Sequence, residues 1–246
     1  MANGSARHLG EVRRSNPVLI AGVLAGPLFI VGWTLQDLTR HGFDPMREQV
    51  SQLALGDNGW QQAVNFILSG ALLVTFGIGL RRASRWGRLI PALMIAAGLA
   101  FVVAALFPTN PTNSSSSSTS GIHDLAATVW FLSMLTAGIA TGLRFHRQQQ
   151  DLLGIYSVAS VVAMIVFLTI SSIGMARFPG FVEVGGLFER LSIGSALVWV
   201  AVLAIESVRG PSVIEDTPEM IAKSGAGKIL KREVPSGLLA DQERDV

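Results

Sequence analysis

Six apolar segments, each long enough to cross a bilayer, decide what this chain can fold into. They cover residues 17–36, 60–80, 89–107, 125–143, 152–175 and 187–208. About 20 apolar residues in a helix span a hydrocarbon core about 30 Å thick. Barrel strands would be shorter and would alternate in polarity, which these segments do not. Lipid offers the backbone no hydrogen-bonding partner, so each span is expected to be helical. The expected fold class is all-α: a polytopic membrane protein built as a six-helix bundle. Composition agrees. Charged residues make up 15% of the chain and mean hydropathy is +0.47, against about 25% charge in soluble domains. The chain has no cysteine, which excludes disulfides and thiolate metal sites.

Arginine placement orients the bundle. With the N-terminus inside, the inner segments carry Arg7, Arg13, Arg14, Arg81, Arg82, Arg85, Arg88, Arg144, Arg147 and Arg209. The outer ones carry only Arg40, Arg47, Arg177 and Arg190. Both termini are therefore expected in the cytoplasm of a bacterial cell, with the bundle in the plasma membrane. The division is a cytoplasmic segment 1–16, a transmembrane domain 17–209 and a cytoplasmic, disordered tail 210–246. The sequence pI of about 9.5 reflects this topology and contact with lipid headgroups, and calls for no nucleic acid. The apolar run after the polar, basic start is too long for a signal-peptide core and reads as a retained first helix.

Some punctuation is structural. "GVLAG" (Gly22, Gly26) and "GIATG" (Gly138, Gly142) are small-residue patterns that let helices pack closely within the bundle. Pro27 is expected to kink the first span. "NPTNSSSSSTSG", from Asn110, reads as a flexible outer loop. At mid-span the only polar residues are small hydroxyls, and no charged path leads to the inner face, which argues against an ion or proton pathway.

The polar residues gather on the expected outer side. In "HGFDPMREQVSQLALG", Asp44-Pro45 is a helix-start signal. Asp44, Arg47, Glu48 and Ser51 then fall on one helical face, opposite Met46, Val50 and Leu53. This predicts a short amphipathic helix on the outer face. "GIHDL" adds His123 and Asp124, and "GGLFERL" adds Glu189 and Arg190. Together Asp44, Arg47, Glu48, Ser51, His123, Asp124, Glu189 and Arg190 are the candidate lining of an outward-facing polar pocket. An ionisable group near the membrane interior needs a partner or a function. Pairing of Arg47 or Arg190 with Glu48 or Glu189 is the structural alternative.

The order "FDPMREQVSQLALG", "FPTNP", "GIHD" and "GLFER", at the ends of the first, third, fourth and sixth spans, resembles the bacterial six-helix membrane family catalogued as domain of unknown function 998. The resemblance runs from about residue 16 to 209. It implies the six-helix bundle and no activity, and it matches Asp44, Pro45, Ser51, Pro108, His123, Glu189 and Arg190 to recurrent positions. Asn110 stands where an acid is expected after "FPT". A second, short resemblance lies in the tail. "IAKSGAGKILKREV" is similar to the C-terminal signature of adenylate-forming enzymes, where Lys228 would be the reactive lysine. The several hundred residues such an enzyme needs are absent, and the stretch lacks the spacing of a phosphate-binding loop.

Two functional readings follow. The leading one is a membrane protein that binds a lipid headgroup, a small ligand or a membrane-protein partner at the outer polar site. The alternative is a membrane-embedded hydrolase of lipid-like substrates, with His123, Asp44 and Glu189 as candidate ligands for a metal that would activate water. No cofactor is named by the sequence.

Overall fold

The computed structural model describes residues 17–111 and 117–209. A one-turn 3-10 helix, Pro17–Leu19, leads into α1 (Ile20–Thr39). After a loop come a second 3-10 turn (Val50–Ala54), then α2 (Gly59–Arg82), α3 (Leu89–Leu106), α4 (Ser118–Arg147), α5 (Asp151–Met175) and α6 (Gly185–Arg209). All six are long and apolar enough to cross a membrane. The chain is an all-α polytopic bundle. The N-terminal segment, the tail with Lys228, and residues 112–116 of the serine-rich loop lie outside the described residues.

The helices pack in chain order. Each meets the ones before and after it, and α6 closes back on α1. The six therefore form a ring. One end carries the α1–α2, α3–α4 and α5–α6 loops and is called the mouth below.

Close approach in the ring depends on glycine. A methyl group on Gly26 would press on the Leu197 backbone oxygen at 2.9 Å, and one on Gly70 would sit 2.6 Å from the Gly98 carbonyl. Gly22 faces Phe76 and Ala204, and Gly142 faces Val158 and Gly154. Both small-residue patterns are thus used between helices of this chain.

Aromatic rings pack against one another between the first four helices. Phe29 of α1 contacts Phe66 of α2 (5.0 Å between centroids) and Phe101 of α3 (4.7 Å). Phe101 stacks on Trp130 of α4 at 5.1 Å and 3°. Outward, Leu24, Leu35, Leu99, Leu132, Leu143 and Ile155 are exposed. Apolar residues on all sides of a helix suit a lipid surround.

One local expectation is corrected. The serine-rich stretch is partly helical: Ser117 caps α4 by accepting the Ser120 N–H at 3.2 Å, and the helix begins at Ser118. Towards the mouth end of their helices, Gln36, Gln62 and Asn65 form a buried amide cluster between α1 and α2. Gln36 donates to Gln62 (2.8 Å), and Asn65 donates to the Phe29 carbonyl (3.1 Å).

Candidate functional site

The loop between α1 and α2 builds the mouth, but not as the amphipathic helix expected over 44–53. Asp44 opens a single turn: its side chain accepts the Met46 N–H at 3.0 Å, and its carbonyl accepts the Glu48 N–H at 2.8 Å. Gln49 is then extended (ψ 151°) and breaks the helix. The chain resumes as the 3-10 turn, whose Val50, Ser51, Gln52 and Leu53 are buried. Two arginines capture this loop through backbone oxygens, which is why it does not continue as a helix. Arg40 donates to the Leu53 and Leu55 carbonyls. Arg190, from α6, donates through Nη1 to Pro45 (2.8 Å), Glu48 (2.8 Å) and Gly186 (3.0 Å).

The rest of the Arg190 guanidinium goes to one acid. Nε donates to Asp37 Oδ2 at 2.9 Å and Nη2 to Asp37 Oδ1 at 2.7 Å, a two-pronged pair that is about nine-tenths buried. This pairing replaces the expected one with Glu48 or Glu189. Arg47 departs from expectation too. It lies between Asp44 (3.4 Å) and Glu183, at an exposed position where ion pairs contribute little. Phe43 is flanked by both loop-holding arginines, at 5.9 Å from Arg40 and 5.7 Å from Arg190.

Beneath the loop is a cavity of about 90 Å3, room for several waters or the polar end of a ligand. Phe66, Phe101, Trp130 and Phe131 form its aromatic walls, and Ala100, Ala104, Ala126, Ala127 and Ile193 fill between them. Its polar lining is Gln49, Ser51, Thr109, His123, Asp124 and Glu189. Of the eight expected pocket residues, the cavity therefore gathers Ser51, His123, Asp124 and Glu189. Asp44, Arg47, Glu48 and Arg190 are not part of its lining.

Two buried groups shape it. Glu189, 9% exposed, accepts the Val50 N–H at 2.6 Å through one carboxylate oxygen. The other oxygen has no hydrogen-bond partner among the described residues, and the described ion pairs do not include Glu189. His123, 4% exposed, uses Nδ1 to reach the carbonyls of Ala104 (3.2 Å) and Phe107 (2.9 Å). Both partners are acceptors, so Nδ1 carries a proton and donates it to them. The imidazole thereby closes the C-terminal end of α3, whose last carbonyls lack helical partners. It is tied to the end of α3 rather than to the start of its own helix.

The three metal candidates do not form one cluster here. Among the described residues no group of three or more His, Asp or Glu side chains is placed to share a cation. Asp44, one of the three candidates, faces its own turn and Arg47 instead. Nor does a hydrogen bond join His123 to Ser51 among the described residues. Asn110, at the position where an acid is expected, accepts from the Ser117 hydroxyl at 2.9 Å and so steadies the cap of α4.

Sequence reasoning missed Asp37, Arg40 and the cavity's aromatic walls. Asp37 had one usable signal, an acid in the last turn of an apolar span, where it needs a partner.

A family model described as "Protein of unknown function (DUF998)" matches residues 23–206. No curated protein and no solved structure matches the chain.

Proposed function

Because the chain belongs to the DUF998 family, whose description carries no activity, we propose a function from the chain's own geometry: it binds the polar end of a small ligand or lipid in the mouth cavity. One observation carries this reading. Glu189 is a buried carboxylate with an oxygen left unpartnered, and it lines a space shared with His123 and Ser51. That oxygen is open to the cavity, where a ligand's donor or water can complete it. The deeper walls are apolar, as ligand sites generally are. The hydrolase alternative has less support, since among the described residues neither a metal-ligating trio nor a hydrogen-bonded serine–histidine pair is assembled.

The test is native mass spectrometry of the gently solubilised protein. A small molecule should be retained at one copy per chain. It should be lost in Ala127→Phe, which adds a large ring to the cavity wall on α4 and leaves the Glu189 side chain unmutated. If the same mass stays bound in the folded Ala127→Phe protein, or if none is retained in either, the cavity is not the site.

The mouth faces outward in this proposal, with both termini cytoplasmic and the bundle in the bacterial plasma membrane. The arginine distribution supports it. The absence of cysteine makes the orientation directly measurable. A cysteine at Asp57, exposed beside the mouth, should react with a membrane-impermeant maleimide on intact cells. One at Gln148, exposed at the opposite end, should react only after permeabilisation. The reverse pattern would invert the topology.

A further inference from the structure

We propose that the mouth cavity selects an organic ammonium group. This deepens the reading above and rests on it. Glu189 supplies a carboxylate oxygen with no hydrogen-bond partner among the described residues, and His123, whose Nδ1 is taken by the Ala104 and Phe107 carbonyls, keeps Nε2 free to accept when the ring is neutral. Ser51 and Thr109 add hydroxyls, and Asp124 adds a second carboxylate on the exposed side of α4.

Among the described residues no lysine or arginine lines the space. The nearest cation in sequence, Arg190, has its guanidinium committed to Asp37 and to three backbone carbonyls. Among the described residues, then, the charged lining is acidic, and the Gln49 amide and the Trp130 indole N–H add neutral donors. A phosphate or carboxylate ligand would meet repulsion there. A protonated amine would bring up to three donors and the countercharge that Glu189 lacks. The aromatic walls act in the same direction, because ring faces attract organic cations. The cavity of about 90 Å3 suits a headgroup-sized cation, not a large polycation.

Two sources carry this chemistry: the amine headgroup of a lipid, and a free small amine. Thermal stability of the detergent-solubilised protein separates them. Ethanolamine and tetramethylammonium are titrated against ethylene glycol as the neutral counterpart. Lyso-phosphatidylethanolamine is titrated against lyso-phosphatidylglycerol. The cations should raise the Tm saturably and ethylene glycol should not. Glu189→Gln should weaken the apparent Kd by about thirtyfold or more, as expected when one partner of a buried charged contact is removed. Ala127→Phe should abolish the shift. If Glu189→Gln fails to fold, Phe131→Leu, which thins the aromatic wall, should still weaken tetramethylammonium binding.

A response to lyso-phosphatidylethanolamine alone assigns the amine to a lipid. An equal response to ethanolamine assigns it to a free amine. If ethylene glycol or lyso-phosphatidylglycerol shifts the Tm as much as its amine counterpart, and Ala127→Phe removes that shift, the ammonium assignment is overturned while the cavity remains a binding site. If no probe shifts the wild-type Tm and Ala127→Phe retains the same copurified molecules, the ligand-binding reading itself falls.

Discussion

Arg190→Ala is expected to destabilise the bundle by about 3–5 kcal/mol, the range for removing one partner of a buried ion pair. The substitution strands Asp37, which is about nine-tenths buried on α1, without its cation. It also releases the Pro45 and Glu48 carbonyls that hold the mouth loop. Arg190→Lys should recover only part of the loss, because an ammonium cannot grip both Asp37 oxygens while reaching the loop carbonyls. Denaturation midpoints of wild type and the two variants in one detergent check this. Were Arg190 a ligand-binding group, the alanine variant would lose ligand and keep its midpoint.

The second large effect is expected at Gly186, where the mouth loop lies against the first turn of α6. A methyl group there would overlap the Glu48 carbonyl oxygen and would stand 2.8 Å from both the Glu48 nitrogen and the Pro45 oxygen. All three are backbone atoms, so no side chain can swing aside. Overpacking usually costs about 1–3 kcal/mol and more where backbone must move. Gly186→Ala should therefore sit at or above the top of that range. It should also push the loop outward, weakening the Met46–Leu187 backbone bond and the Val50–Glu189 bond. Faster hydrogen exchange at Leu187 and Val50 than at mid-helix amides would show it. By contrast, Gly194→Ala meets open space and should leave both the midpoint and the exchange rates near wild type.

The spans were legible because bilayer thickness converts directly into apolar length. Residues 89–107 and 152–175 became helices Leu89–Leu106 and Asp151–Met175. The start of α4 was not, since Ser118 to Gly121 are too polar for a hydropathy window yet are capped and helical. The amphipathic spacing of Asp44, Arg47, Glu48 and Ser51 was real as a pattern. It failed as a helix because Arg40 and Arg190 take the carbonyls of Pro45, Glu48, Leu53 and Leu55 out of any helical ladder. Those contacts cross as many as 145 residues, beyond what local periodicity reports. For the same reason the sequence could group Ser51, His123, Asp124 and Glu189 in one polar pocket without revealing the aromatic walls of the cavity they line or that Arg190 lies outside it. Nor could it reveal that Asp37, 153 residues from Arg190, is its partner.

The ring of helices also has an order in time. Chains emerge from the ribosome N-terminus first, so five helices can enter the bilayer before the one carrying Arg190. During that interval Asp37 is an acid at the membrane boundary with no cation. The carbonyls of Pro45, Met46 and Glu48 and the N–H of Val50 have no partner from α6. The sixth helix is thus the clasp. It fastens the earliest-made helix to the latest, and until it does the protein is an arc with a raw edge along α1. Synthesis interrupted before Gly185 leaves that edge unsealed, the kind of half-built species that membrane proteases and insertion chaperones would be expected to meet.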